Sequence, residues 1–374
     1  MHATDAVAEA RRMMEICNAC RYCEGYCAVF PAMELRREFS NADLSYLANL
    51  CHDCRGCFYA CQYAPPHAFD LNLPRTFAQV RTETYEAYAW PGVLARLFRH
   101  NGVVVSLIAA VALAAVLLLT TALQVPVVLY GVHTGPGAFY AVVPYGTMAS
   151  VGLSTFGYAL FALAMGFARF WRDAAAGSPR AKPSALWRAL CDVAVLRNLS
   201  GGGYGCNDRD ESFSGLRRWL HHAMFYGFLA CFAATSVATI YHHVLRWIAP
   251  YPPLSAPVVL GTLGGLGLLL GTSGSFALKF VRDPAPGAPE LLGADTAVLV
   301  LLALVAATGL LLLGLRASGA MGPLLVVHLG FVLAFFLVLP YSKFVHGVYR
   351  FGALLRYAAE RASGGVRRPP AGEQ

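Results

Sequence analysis

Six long apolar segments, near residues 102–124, 148–171, 219–245, 255–278, 294–315 and 322–347, constrain this chain more than any other feature. Each is long enough to cross a bilayer as a helix, which takes about 20 residues. An even number of spans returns the C-terminus to the side on which the chain starts. Loop charge tests that arrangement independently. The connections at 125–147, 246–254 and 316–321 carry only Arg246 and Arg316. The connection at 169–218 carries Arg169, Arg172, Arg180, Lys182, Arg188, Arg197, Arg209, Arg217 and Arg218, with Lys279 and Arg282 closing the fourth segment and Lys343 and Arg350 the sixth. Basic residues crowd cytoplasmic loops, so the pattern predicts a multi-pass protein of a bacterial inner membrane with both termini cytoplasmic.

The net charge of +8 therefore follows topology; it forms no basic stripe with interleaved aromatics, and no nucleic-acid partner is expected. Residues 1–95 are mixed and polar. The opening MHATDAVAEARRMME lacks the apolar core of a secretory signal, so this region is expected to stay in the reducing compartment where it is made. Cysteines there read as metal ligands rather than disulfides.

Eight of the eleven cysteines fall into two runs of identical C-x2-C-x2-C-x3-C spacing: Cys17, Cys20, Cys23 and Cys27, then Cys51, Cys54, Cys57 and Cys61. Three thiolates two residues apart can wrap one face of an iron–sulfur cube, and in two-cluster ferredoxins the fourth reaches across to the other cluster. The expected sets are Cys17, Cys20, Cys23 and Cys61 for one [4Fe–4S] cluster, and Cys51, Cys54, Cys57 and Cys27 for the second. Zinc prefers two cysteine pairs separated by a longer loop and suits this triple spacing poorly. In the bacterial pattern proline directly follows the fourth cysteine; here it comes later, at Pro31 and Pro65. Between the runs, FSNADLSYLANLCHDC predicts a helix capped by Ser40 or Asn41. His52 and His67 near the runs read as packing or hydrogen-bonding residues, since eight cysteines already suffice.

Histidine in the apolar half concentrates in two segments. The third opens with His221–His222 and ends with His242–His243; the sixth holds His328 and His346. Eighteen residues make five turns, so on one helix His328 and His346 share a face about 27 Å apart. On the third, His221 and His243 differ by about 40°. Two such helices predict a pair at each membrane face, His221 or His222 with His346, and His242 or His243 with His328. Opposed imidazoles across an iron porphyrin make a bis-histidine b-type haem, so one or two haems are expected. His100 and His133, at or beyond helix ends, read as interfacial.

Weaker signals are LSGGGYGC at 199–206, read as a close turn beneath the clusters rather than a nucleotide cradle, and Cys191, Cys206 and Cys231, read as packing residues. Tyr341, Lys343, His346 and Arg350 in PYSKFVHGVYR suit haem propionates or a quinone head group, or else a snorkelling belt. The predicted fold is all-α: a cytoplasmic two-cluster ferredoxin-like module (1–95), a six-helix cytochrome b-type bundle (96–357) and a disordered tail (358–374).

The chain resembles the tricarballylate (or citrate) utilization protein B family over most of its length. The resemblance is carried by the two cysteine runs, PPHAFDLNLPR, HHAMFYGFLACFAATSVATIYH and LPYSKFVHGVYRFGALLR. It implies a partner, a soluble FAD-dependent tricarballylate dehydrogenase whose flavin this subunit reoxidises, and delivery of the electrons to the quinone pool. The chain is also similar to the C-terminal half of a flavin- and haem-containing fusion protein of cobalamin biosynthesis. Without a flavin-binding half in these residues, a separate flavoprotein is expected. The two-run module is similar to that of heterodisulfide reductase subunits, and the last histidine spacing to the cytochrome b subunit of nitrate reductase. A redox sensor or a transporter fits less well, because no output domain is visible and acidic residues are nearly absent from the spans.

Overall fold

The computed structural model describes residues 4–97, 101–201 and 205–364, so His100 and residues 365–374 lie outside the described residues. Among the described residues the chain is all-α, with one isolated antiparallel bridge between Cys206 and Ser214. Helices α1 (Asp5–Cys20), α2 (Val29–Met33), α3 (Asn41–Leu50), α4 (Gly56–Tyr59) and α5 (Leu73–Tyr88) build the polar N-terminal part. Thr4 caps α1 by accepting from the Val7 amide, and Val7, Ala10, Met13 and Met14 form its buried face. Of the two candidate caps for α3, Ser40 serves, in a reciprocal capping box with Asp43. Asn72 caps α5 ahead of Pro74 in its first turn.

The membrane part comprises α6 (Gly92–Leu97), α7 (Asn101–Leu123), α8 (Pro126–Leu129), α9 (Ala138–Val142), α10 (Tyr145–Ala174), α11 (Pro183–Ala194), α12 (Leu216–His243), α13 (Ala256–Val281), α14 (Leu292–Leu315) and α15 (Met321–Val338), and α16 (His346–Ala362) follows. Six helices are long and apolar enough to cross a membrane, and five match the expected segments closely.

The sixth does not run to residue 347. It stops at Val338, and a short 3-10 turn over Lys343–Val345 separates it from α16. Pro340 is the cause: it lacks an amide hydrogen and its ring collides with the carbonyl four residues back, which kinks or breaks a helix, and here the helix stops. Ser342 then accepts from the Phe344 amide to start the new turn. His328 and His346 therefore stand on different helices and do not share the face expected of one continuous helix.

Nor do the two halves keep separate cores. Tyr349, Ala353 and Leu354 of α16 are buried with Phe30, Leu44, Leu47, Phe77 and Val80 of the N-terminal part, and Phe170 at the end of α10 joins them. Residues 358–362, expected in a tail, are the last turn of α16, where Ala358, Ala359 and Glu360 are buried. In the bundle, α12 and α13 approach closely. A Cβ on Gly227 would lie 2.4 Å from the Leu268 amide nitrogen, and one on Gly271 2.4 Å from that of Met224. Small residues permit such backbone contact between spanning helices. On the α15 side of α12, Phe228 packs against Phe335 (ring centroids 5.8 Å) and Phe344 (5.1 Å).

Candidate functional site

The eight cysteines of the two runs line two cavities, and they divide crosswise. Cys17, Cys20, Cys23 and Cys61 surround one; Cys27, Cys51, Cys54 and Cys57, with His52, surround the other. The two runs differ in backbone up to the second cysteine, helical over Cys17–Cys20 and irregular over Cys51–Cys54, but share one turn. In each, the residue after the second cysteine, Arg21 (φ 54°) or Arg55 (φ 69°), is left-handed, which turns the chain so that the third cysteine faces the same space. The amides of Asp53 and Tyr63 point at the Cys51 and Cys61 sulfurs, at 3.4 Å each.

Burial pushes the Cys17, Cys23 and Cys54 thiols up to about 12, and neighbouring thiols add to the shift. Thiols held in this way lose their protons most readily to a cationic centre. Among the described residues no three side chains meet tightly enough to grip a single ion; the sulfurs ring a space instead. A four-iron cube fits that arrangement better than one tetrahedral zinc does.

The surroundings of the two sets differ. At the rim of the first, Tyr22 is 68% exposed. The second is walled by cations from positions distant in the chain. Arg350 donates to the Cys51 carbonyl at 2.9 Å, and Arg81 donates to the carbonyls of Ala48 (3.1 Å) and Cys51 (3.3 Å). Inside the loop, Asp53 pairs with Arg282 (3.2 Å), Arg217 (3.4 Å) and Arg55 (3.9 Å). Burial opposes its charge, but Arg217, Arg55 and Arg282 hold the carboxyl well below the usual range. Asp208 joins the network through Arg282 (3.4 Å) and Arg217 (3.8 Å). An acid inside a cysteine run was the signal available in sequence for these arginines.

The described end of the 199–206 stretch, Gly205 and Cys206, leads to a contact with the second set. Residues 202–204 lie outside the described residues, but the Asn207 amide donates to the Cys54 carbonyl at 2.9 Å. Gly205 (φ 132°) is required there, since a Cβ would sit 2.4 Å from the Ser214 carbonyl oxygen. Cys206 is fully buried, packed with Cys54, Leu196 and Leu199.

Of the histidines, His221 and His346 face each other with ring centroids 6.1 Å apart and planes inclined by 46°. His346 Nδ1 donates to the Lys343 carbonyl at 2.6 Å, which fixes Nε2 as the nitrogen that can accept or ligate. The Nδ1 atom of His221 and the Nε2 atom of His222 are buried without hydrogen-bond partners. Orphaned imidazole nitrogens beside an opposed ring suit axial ligation, with the Lys343 carbonyl fixing the His346 tautomer.

The other expected pair is not brought together. His328 lies seven residues into α15, about 10 Å from its start, whereas His242 and His243 end α12. His328 Nδ1 donates to Thr308 Oγ1 (3.0 Å), whose own hydroxyl donates to Leu304, and Gly309 leaves room for the ring. His242 stacks on Tyr145 at 4.1 Å, and His243 Nε2 meets the Tyr145 hydroxyl at 2.5 Å. Among the described residues no contact joins His328 to His242 or His243. His133 bonds the Val128 carbonyl within its loop (2.7 Å), His52 donates to Leu50 (2.8 Å), and His67 packs on Tyr63 and Phe69. In the 340–350 stretch, Tyr341 bonds Tyr158 (2.6 Å) and the Trp90 carbonyl (3.0 Å), and Lys343 pairs with Asp295.

A helical domain with eight cysteines around two cavities, joined to six membrane-spanning helices, defines a multi-pass membrane protein carrying a ferredoxin-like domain. The chain belongs to the citrate utilization protein B family. The family described as "Citrate utilization protein B" matches residues 97–367, and its "Fer4-like domain" matches residues 10–87. The "Citrate utilization protein B" of Escherichia coli is 46% identical over 365 residues, covering 96% of this chain and 94% of that protein. No solved structure matches. Family and ferredoxin-like domain together indicate an iron–sulfur electron-transfer role.

Proposed function

We propose that this chain is the electron-transfer subunit of a bacterial inner-membrane dehydrogenase system, with both termini cytoplasmic. It reoxidises a soluble FAD-dependent dehydrogenase, of the tricarballylate type, and passes electrons through two [4Fe–4S] clusters and a b-type haem to quinone. Cys17, Cys20, Cys23 and Cys61 would hold the first cluster, and Cys27, Cys51, Cys54 and Cys57 the second. His221 and His346 would ligate the haem. One haem is the reading the geometry supports best, since only one of the two expected histidine pairs is opposed.

The observation that carries this reading is the join at Arg350. It stands one turn beyond His346 on α16 and donates to the Cys51 carbonyl, so the second cysteine set and the histidine pair share a support. The first set, beside exposed Tyr22, is the side open to a soluble donor. Reoxidising a reduced flavin releases two electrons and two protons, which a quinone takes up to become a quinol. When bound, clusters and haem supply one-electron carriers between those two-electron steps. The chain's part is to hold the thiolates, fix the His346 tautomer and exclude water.

An absorbance spectrum of anaerobically purified protein, oxidised and then dithionite-reduced, tests the reading. Broad cluster absorption that bleaches, together with sharp low-spin b-type bands, is expected. Stoichiometric zinc, with no iron taken up on reconstitution, overturns it. Rapid cluster reduction on mixing with tricarballylate and its dehydrogenase separately tests the partner.

A further inference from the structure

Helix α11 is inside out for a helix in water. Ala185 and Ala189 are buried in the core shared with α16, whereas Leu186, Trp187 and Leu190 are 43%, 69% and 45% exposed. A helix packed on a soluble protein does the opposite, burying its large apolar side chains and leaving small or polar ones outside. At 100° per residue, Leu186, Leu190, Ala194 and Trp187 fall within an arc of about 100°, with Arg188 beyond its edge. Twelve residues are too few to span a bilayer.

The position of α11 names what covers that arc. Its end is tied to the spanning helix α12: Arg218 donates to the Val195 carbonyl at 2.7 Å, and the Tyr226 hydroxyl to the Ala194 carbonyl at 2.8 Å. Tyr226 lies ten residues into α12, so this end sits where α12 enters the apolar slab, beside Trp219, which is 59% exposed. The apolar arc thus continues the lipid-facing surface of a membrane helix. Charge agrees: Arg180, Lys182 and Arg188 are exposed around α11, while its one acid, Asp192, is buried and paired with Arg197 (3.0 Å).

We infer that α11 is an interfacial helix. Leu186, Trp187 and Leu190 enter the boundary of the acyl chains beside α12, and Arg180 and Lys182, just ahead of the helix, meet anionic headgroups. Through Ala185 and Ala189 the bilayer then braces α16, the helix that begins at His346. The inference needs no cofactor and stands apart from the proposed function.

Tryptophan fluorescence of the full chain in phosphatidylglycerol nanodiscs tests it, with bromine on the upper acyl carbons of the lipid. The Trp187 contribution is the difference between the natural chain and Trp187→Phe. It should be blue-shifted and quenched by bromine. In a Leu186→Ser, Leu190→Ser double variant that quenching should fall by about twofold or more as the helix lifts out. Two results overturn the inference: a Trp187 contribution that emits as in water and ignores bromine, or one shielded from bromine in proportion to protein concentration, which would mean a second copy covers the arc.

Discussion

Arg350 reaches from the second turn of α16 to donate a 2.9 Å hydrogen bond to the Cys51 carbonyl. Its guanidinium is buried, which lowers its affinity for a proton to about 10 and still leaves it charged at neutral pH. A fixed positive charge there favours an added electron on whatever Cys51 ligates.

Removing that charge should therefore lower the potential of one cluster only. One charge acting over roughly 10 Å at an effective dielectric of about 20 is worth about 1.7 kcal/mol, or roughly 70 mV for one electron. Arg350→Gln should shift one centre down by that order in a redox titration followed by electron paramagnetic resonance. The other centre should hold its potential. Equal shifts in both, or none, would detach Arg350 from the second cysteine set.

The crosswise division of the cysteines predicts which variants resemble one another. Cys61→Ser should behave like Cys20→Ser, although it sits in the other run, and Cys27→Ser like Cys54→Ser. Each should remove one resonance signal and about four irons while sparing most of the other signal. Pairing by run, with Cys27→Ser behaving like Cys20→Ser, would show that the fourth ligands do not cross.

His221→Ala and His346→Ala should each abolish the low-spin b-type spectrum, because alanine offers iron no strong-field ligand in place of the imidazole. His133→Ala should not, since that ring is occupied with its own loop at Val128. His328→Ala should keep most of the haem. Loss of half of it would establish a second haem that draws His328 away from Thr308.

What the sequence made legible, and what it hid, divides by range. Spacing is local, so the cysteine runs announced their chemistry, and long apolar runs announced the spans. The turn at Pro340 was also written locally, yet apolar continuity through 322–347 masked it. A proline in a spanning segment permits either a kink or a stop, and Ser342 as a cap marks the stop. Asp53 inside a cysteine run called for a cation, but the contacts of Arg217 and Arg282 that supply it, and those of Arg81 and Arg350 with Cys51, join positions brought together only by folding. The second histidine pair was misjudged from rotation about a helix, which fixes faces but not depth.

Loop charge predicts the proposed topology, and reporter fusions check it. Fusions after residues 135 and 250 should read as exported, and one after residue 180 as cytoplasmic. A cytoplasmic signal at 135 would place the cysteine domain on the wrong side for a soluble flavoprotein, and the proposed donor would have to go.

Glu360 decides whether the cysteine domain stays docked on α16. Only 5% exposed, it accepts from Arg36 (2.6 Å), Arg356 (2.9 Å) and Tyr46 (3.0 Å), while the two guanidiniums lie over the Tyr46 ring at 4.8 and 4.2 Å. Asp43 shares the arginines at 2.8 and 3.0 Å. Glu360→Ala leaves two buried cations with one carboxylate, a loss that typically costs about 3–5 kcal/mol. Glu360→Gln keeps an acceptor and the shape and should cost less. Since α16 begins at His346, loosening its far end should also open the His346–His221 pair. Thermal unfolding of the alanine variant should start earlier, haem content should fall with it, and far-ultraviolet helicity of the bundle should remain. If Glu360→Ala unfolds at the temperature of the natural chain and keeps its haem, the ion cluster is not what fastens α16, and the apolar contacts of Tyr349, Ala353 and Leu354 carry the joint alone.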